Sequence, residues 1–167
     1  MLLSIFNIAK IAATVSCYNK SKNAHIKKTD INPNKTFEKS VKYKKIFDEI
    51  KEQLAKSQLS ISNRRCPKCA KPFSIIKVKG TGIDYCQRCN SMWFDANELK
   101  YITNLIKDIP ADNFKNRKSK FNCPVCNCEM LEYLFQINSN ILVDSCANSH
   151  GVFLESGELE RIIEKIK

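Results

Sequence analysis

The sequence lacks the residue combinations on which most enzymes depend. It contains only two histidines, His25 and His150, and neither belongs to a Ser/His/Asp set of the kind that activates a nucleophile. It also lacks a glycine-rich phosphate-binding loop. His25 lies in a polar stretch where an exposed, solvated side chain is expected. These absences predict that the protein is not an enzyme and has no catalytic residues.

Two further absences concern the N-terminus. No acidic residue precedes Asp30, whereas five lysines do, and the apolar run 1–16 is too short to span a bilayer comfortably. We therefore predict a targeting segment over residues 1–20, a linker over 21–35 and no transmembrane span. A mitochondrial or plastid presequence, a secretory signal, a lipoprotein signal modified at Cys17 and a short hydrophobic helix all remain open for this segment.

Cysteine, by contrast, is abundant. Nine occur in 167 residues, and eight of them lie after residue 65. Such cysteines form disulfides in an oxidising compartment or metal sites in a reducing one, and their spacing decides between the two. The first four follow the pattern C-x2-C, sixteen residues, C-x2-C, which predicts one zinc site at Cys66, Cys69, Cys86 and Cys89. A reducing location is therefore expected, either an organelle such as the mitochondrion or plastid, or the cytoplasm.

The segment between the two cysteine pairs predicts a β-hairpin. Residues 74–78 and 83–85 would form its arms, and Gly80-Thr81-Gly82 would supply the turn. A unit of about 40 residues buries too little apolar surface to fold alone, so zinc would supply the missing free energy. Four protein ligands leave no open position for a water molecule, which indicates a structural rather than a hydrolytic zinc.

The chain then repeats itself, since residues 66–102 align with residues 123–163. The aligned segments are Cys66-Pro67-Lys68-Cys69 with Cys123-Pro124-Val125-Cys126, Asp84-Tyr85-Cys86 with Asp144-Ser145-Cys146, and Trp93-Phe94-Asp95 with Phe153-Leu154-Glu155. We predict a first zinc ribbon over 64–107, a linker over 108–120 and a second ribbon over 121–167.

The second zinc site is less complete than the first. Cys123, Cys126 and Cys146 align with three ligands, but Ser149 stands where the fourth cysteine should be. Neutral serine is a poor zinc ligand, whereas His150 is adjacent and would complete a Cys3His site, a common structural set. Cys128 as fourth ligand, and a degraded site that binds no metal, are the alternatives. We predict two Zn2+ ions, the second at Cys123, Cys126, Cys146 and His150.

Helices are expected around both ribbons. Residues 36–60 carry apolar side chains at helical spacing, with Thr36 as a possible cap. Each ribbon also ends in a short helix, the first opening with a capping box from Asp95 to Glu98. Trp93 and Phe153 are predicted to pack between ribbon and helix. The expected fold is a small zinc-stabilised α+β fold of two tandem zinc ribbons, each a β-hairpin with a short C-terminal helix.

This pattern resembles a known family. The order C-P-x-C, hairpin, C-x2-C, W-F-D, E-L and helix, carried here by Cys66 to Cys89, Trp93-Phe94-Asp95 and Glu98-Leu99, is similar to the zinc-finger family named after the ribbon of transcription factor IIB. The second repeat keeps this frame but departs from it at Ser149. The resemblance implies a zinc-ribbon fold and metal binding, and it implies little about activity.

Charge suggests which partners such a module would bind. The net charge is +11, since residues 1–110 carry +12 and residues 111–167 carry −1, and seven basic residues cluster in the part of the first ribbon that precedes its helix. These are Arg64, Arg65, Lys68, Lys71, Lys77, Lys79 and Arg88. A basic surface favours a polyanionic partner, although a solvated lysine-rich surface explains it equally well. We expect a binding module for a protein or nucleic acid, with an organellar assembly or chaperone-like factor acting through zinc and thiols as the alternative.

Overall fold

The structure is a computed structural model that describes residues 33–56, 58–105, 108, 117–135 and 140–166. The predicted targeting segment over 1–20, most of the 21–35 linker and residues 109–116 of the second linker lie outside these residues. Within the described part of the chain, no helix is long and apolar enough to cross a membrane.

Helix α1 spans Pro33–Leu54 and precedes both repeats. It begins three residues before the predicted start, because proline suits the first turn of a helix, where its missing N–H is not needed. Thr36 therefore lies inside the helix and does not cap it. Tyr43, Ile46 and Ile50 are buried, whereas the apolar side chain of Val41 remains 54% exposed.

Each repeat forms four strands and one helix. The first contains β1 (Ser60–Arg65), β2 (Pro72–Val78), β3 (Thr81–Tyr85), β4 (Met92–Asp95) and α2 (Glu98–Thr103). The second contains β5 (Arg117–Asn122), β6 (Glu129–Leu134), β7 (Leu142–Ser145), β8 (Gly151–Leu154) and α3 (Glu158–Ile166). Two predictions are corrected here. The helix predicted over 36–60 ends at Leu54, and Ser60 already belongs to β1, while β5 begins inside the linker predicted over 108–120.

All eight strands form one antiparallel sheet in the order β1-β2-β3-β4-β8-β7-β6-β5. The two repeats join where β4 pairs with β8, with Trp93 opposite Phe153 and Asp95 opposite Gly151. This join relates the repeats by an approximate two-fold axis. The β2–β3 turn is shorter than predicted: Lys79 and Gly80 both have positive φ, as a two-residue hairpin turn requires, and Thr81 already belongs to β3.

The sheet separates two apolar cores. One face packs against the three helices of the described residues, which contribute Ile46 from α1, Ile102 from α2 and Ile162 from α3. The other face, called here the zinc face, buries Trp93 and Phe153 among cysteines of both repeats. The prediction that these two aromatic residues pack between ribbon and helix is therefore wrong, because the alternation of side chains along a strand points them away from the helices.

The turn between β4 and α2 also differs from prediction. The backbone N–H of Asp95 donates to Glu98 Oε2 at 2.8 Å, which is one half of a capping box. The carboxylate of Asp95 does not cap the helix, and that of Asp108 instead accepts from the N–H groups of Asn97 and Lys100. Helix α2 ends at Thr103, since Asn104 adopts a left-handed conformation at φ 60°.

Candidate metal centres

The four cysteines of the first repeat meet at the ends of their strands. Cys66 Sγ lies 3.5 Å from Cys89 Sγ, and Cys69 Sγ lies 3.4 Å from Cys86 Sγ. A tetrahedral zinc with Zn–S bonds of about 2.3 Å separates its sulfurs by about 3.8 Å, so a small adjustment admits the ion. Cys66 and Cys86 are buried and the other two are half-buried, which limits access of water to the group.

Three of the four cysteine loops share one backbone design. In each, the carbonyl oxygen of the first cysteine accepts from the N–H four residues later, and its own N–H donates to the carbonyl five residues later. The residue four positions after the cysteine is left-handed, and these residues are Ala70 (φ 58°), Asn90 (φ 56°) and Asn127 (φ 59°). The tight loop turns backbone and thiols toward the metal position, and we call it a knuckle below.

The hydroxyl of Ser91 contacts two thiols of the first site. Its side chain is fully buried, and its hydroxyl lies 3.0 Å from Cys89 Sγ and 3.3 Å from Cys66 Sγ. Burial opposes ionisation of Cys89, but hydrogen bonds led by that from Ser91 lower the pKa of its thiol to about 7. Burial raises the pKa of Cys86 to about 12. Since zinc binds thiolates, the hydrogen bond from Ser91 favours the form of Cys89 that can act as a ligand.

The second repeat brings Cys123, Cys126, Cys146 and His150 together. All four ligand atoms lie within 4.8 Å of one another, with Cys126 Sγ 3.6 Å and His150 Nδ1 3.4 Å from Cys146 Sγ. A hydrogen bond from the backbone N–H of Cys128 is the main cause that lowers the pKa of Cys126 to about 6. The two groups can each bind zinc, as the sequence predicted.

The fourth knuckle shows how a histidine comes to face the metal position. Its backbone closes over the same length, since the N–H of Cys146 donates to the carbonyl of Gly151 five residues later. The left-handed residue is Ser149 (φ 58°), three rather than four positions after the cysteine. The fourth knuckle is therefore as long as the other three. The left-handed position moves by one, and this turns the next side chain, His150, toward the thiols.

Cys128 lies beside the second group and outside it. Its side chain is exposed, and its thiol donates to the carbonyl oxygen of Cys126 at 3.8 Å. The side-chain amide of Asn148 lies 3.7 Å from both Cys126 Sγ and Cys128 Sγ. Nothing in the sequence predicts these contacts of Asn148, because they join two loops that are about twenty residues apart in the chain.

The basic residues of the first ribbon are divided among different tasks. Arg64 Nη1 lies 3.2 Å from Asp84 and 2.8 Å from Asp95, so its charge is already paired. Lys79 Nζ donates to the carbonyl of Ile102 at the end of α2. The structure thus separates side chains that the sequence placed in one basic cluster.

A groove lies between the two knuckles that open with Cys66 and Cys123. It has a volume of about 570 Å3 and is bordered by β1 on one side and β5 on the other. Because β1 and β5 are the two edges of the sheet, their shared groove means that the sheet curls around the zinc face. Arg64 and Arg65 reach it from the first repeat and Lys120 from the second.

The comparisons with known proteins agree with the metal groups. A family model described as "Transcription factor zinc-finger" matches residues 65–104 and 122–165, which together make up half of the chain. The two matched ranges contain all eight residues of the two metal groups. No curated protein and no solved structure matches the chain significantly.

Proposed function

This chain belongs to the transcription factor zinc-finger family, and from that premise we propose that it is a non-catalytic binding module. Two structural zinc ions would hold one continuous sheet in shape, and the surface beside the zinc knuckles would bind a partner. A protein partner and a nucleic acid are both compatible with the basic character of the chain. A role in transcription is a hypothesis that rests on the family alone.

The observation that carries this proposal is the joint construction of the zinc face. Each metal group offers four protein ligand atoms, so a bound ion would have no position for a water molecule or substrate. The groove, by contrast, is open to solvent and is formed by both repeats together. The zinc ions would therefore shape a surface rather than perform chemistry.

Affinity capture tests this proposal directly. The zinc-loaded full chain is compared with the Cys66→Ser variant, and each retained partner is then purified and its binding measured. We expect a partner that binds only the zinc-loaded chain. Binding that falls steeply with salt would identify a nucleic acid, because phosphate contacts release counterions. A chain that retains no partner, or retains the same partners without zinc, contradicts the proposal.

A second candidate function has one observation in its favour. The exposed Cys128 lies next to the metal group without belonging to it, which leaves one thiol accessible to another protein. An assembly or chaperone-like factor that passes zinc or exchanges thiols would need such a group. The variant Cys128→Ser separates the two functions, since it would abolish thiol exchange and leave partner binding at the zinc face intact.

We also propose a reducing location, such as an organelle matrix. The eight described cysteines are all free, and thiols that bind zinc persist where disulfides do not form. Fractionation of cells, with determination of the N-terminus of the cellular protein, tests both the location and the predicted cleavage near residue 20. An N-terminus at residue 1 would argue against a cleaved presequence.

A further inference from the structure

We infer that the groove between the two knuckles binds an extended peptide segment with an acidic end and an apolar end. The inference rests on the proposed binding function and names its ligand class. The groove is bordered by β1 and β5, the two edge strands of the sheet. An edge strand presents N–H and C=O groups that pair with an added extended chain, which is a common mode of peptide recognition.

Equivalent positions around the groove carry different chemistry in the two repeats. Where the first knuckle has Arg65, the second has Asn122, and both line the groove. Val125 of the second knuckle lines it too, whereas its counterpart Lys68 follows the lining residue Pro67 without lining the groove itself. Apart from that of Pro67, these side chains are exposed. One end of the groove is therefore basic and the other is neutral, although the backbone around them is nearly symmetric. Such a groove can bind an extended chain in one of its two directions in preference to the other.

Lys120 of the second repeat adds a positive charge to the basic end. Glu155 Oε1 lies 2.8 Å from Lys68 Nζ, and Glu155 Oε2 lies 3.7 Å from Lys120 Nζ. Two lysines thus share one carboxylate. Arg65 adds a guanidinium whose hydrogen bond within the described chain goes to the carbonyl of Ala70 at 3.0 Å, not to an acid. One or two carboxylates of a ligand fit this end.

The ion pairs of Arg64 disfavour a nucleic acid as the ligand of the groove. Arg64 already contacts Asp84 and Asp95, so a phosphate would have to compete with two carboxylates for it. A nucleic acid would place a phosphate at every nucleotide along the groove, whereas basic side chains gather at one end of it.

The side chains that line the groove also favour a peptide over a nucleic acid. Among the described residues that line it, none is an exposed aromatic side chain on which a base could stack. The neutral end instead offers apolar surface from Pro124 and from Val125, which is 44% exposed. An apolar side chain of the ligand would cover this surface.

Fluorescence anisotropy with short labelled peptides tests the inference on the zinc-loaded full chain. The probe carries two aspartates at one end and two valines at the other, separated by threonines, and its reversed sequence is tested as well. We expect one of the two to bind. The substitution Arg65→Glu should weaken its binding by about tenfold or more, as should Val125→Asp, because each alters one end of the groove. The matched control Lys45→Glu, on the exposed face of α1, should have no effect.

Each other outcome overturns the inference. Absence of binding by both peptides, or binding that Arg65→Glu leaves unchanged, excludes the groove as a peptide site. A single-stranded oligouridylate that binds more tightly than either peptide, and loses affinity with Arg65→Glu, would show that the ligand is a nucleic acid. The binding-module proposal fails separately, only if the affinity capture finds no zinc-dependent partner.

Discussion

Trp93 and Phe153 lie directly opposite each other on the paired strands β4 and β8, and both are fully buried on the zinc face. They hold the same position in the two repeats, so the join between the repeats passes through one aromatic pair. Phe121 packs against Phe153 with ring centroids 5.1 Å apart, whereas the indole N–H of Trp93 donates to Asp95. The joint core connects both metal groups, and it predicts that loss of one zinc disturbs both repeats.

Trp93 fluorescence should report this coupling. Chelation of zinc, or the variant Cys66→Ser, should shift its emission toward that of a solvated indole, because the ligand cysteines form the walls of its core. The variant Cys123→Ser, in the other repeat, should produce a shift in the same direction. An emission spectrum unchanged by chelation would show that the indole does not rest on a zinc-dependent core.

The join also depends on one glycine. A Cβ atom at Gly151 would lie 2.1 Å from the carbonyl oxygen of Phe94, in the partner strand. Gly151→Ala should therefore force β4 and β8 apart and lower the free energy of unfolding by about 3 kcal/mol, the upper range for overpacking a core. Chemical denaturation of the zinc-loaded protein measures this loss.

Gly157→Ala is the matched control for this substitution. Gly157 has a left-handed φ of 82°, but no atom lies within 4 Å of a Cβ placed there. Its replacement should cost only the backbone strain, about 1 kcal/mol. Equal losses for the two variants would show that the close approach at Phe94 does not hold the repeats together.

The zinc groups were predictable because their signal is local. A C-x2-C pair fixes two ligands within one turn, and the repeat of Cys66-Pro67-Lys68-Cys69 as Cys123-Pro124-Val125-Cys126 announces a second unit. The pairing of β4 with β8 carries no such signal, because a four-residue strand such as Met92–Asp95 shows only that it is buried and not which strand it joins. The strand β1 was missed for a similar reason, since Ser60–Arg65 is polar at an exposed edge.

The buried acid at the start of α3 should make stability depend on pH. Burial raises the pKa of Glu158 to about 7, against 4.5 for an ordinary glutamate. The folded protein therefore holds this proton more tightly than the unfolded chain, and stability falls as pH rises between these two values. Glu158→Gln should remove this dependence, so that its melting temperature relative to the parent protein increases from pH 5.5 to about pH 8.

Glu98→Gln provides the comparison, because Glu98 holds the same position in the first repeat and accepts the same kind of backbone hydrogen bond. Burial also raises the pKa of Glu98, but its side chain is only half-buried, whereas that of Glu158 is buried. Its replacement should change stability less over the same range. A larger pH effect for Glu98→Gln than for Glu158→Gln would contradict the assignment.

The most direct test of the second metal site is its zinc content. His150 Nδ1 faces Cys146 Sγ at 3.4 Å, whereas Cys128 is exposed and outside the group. We therefore predict that His150→Ala lowers zinc from two ions per chain toward one, and that Cys128→Ser leaves the content at two. Because a histidine must be neutral and a cysteine deprotonated to bind zinc, both ions should be released as the pH is lowered. Elemental analysis of the purified variants, with chelator-coupled titration at several pH values, measures both effects. If Cys128→Ser empties the second site while His150→Ala leaves it filled, the exposed thiol must move inward to bind, and the ligand set becomes four cysteines.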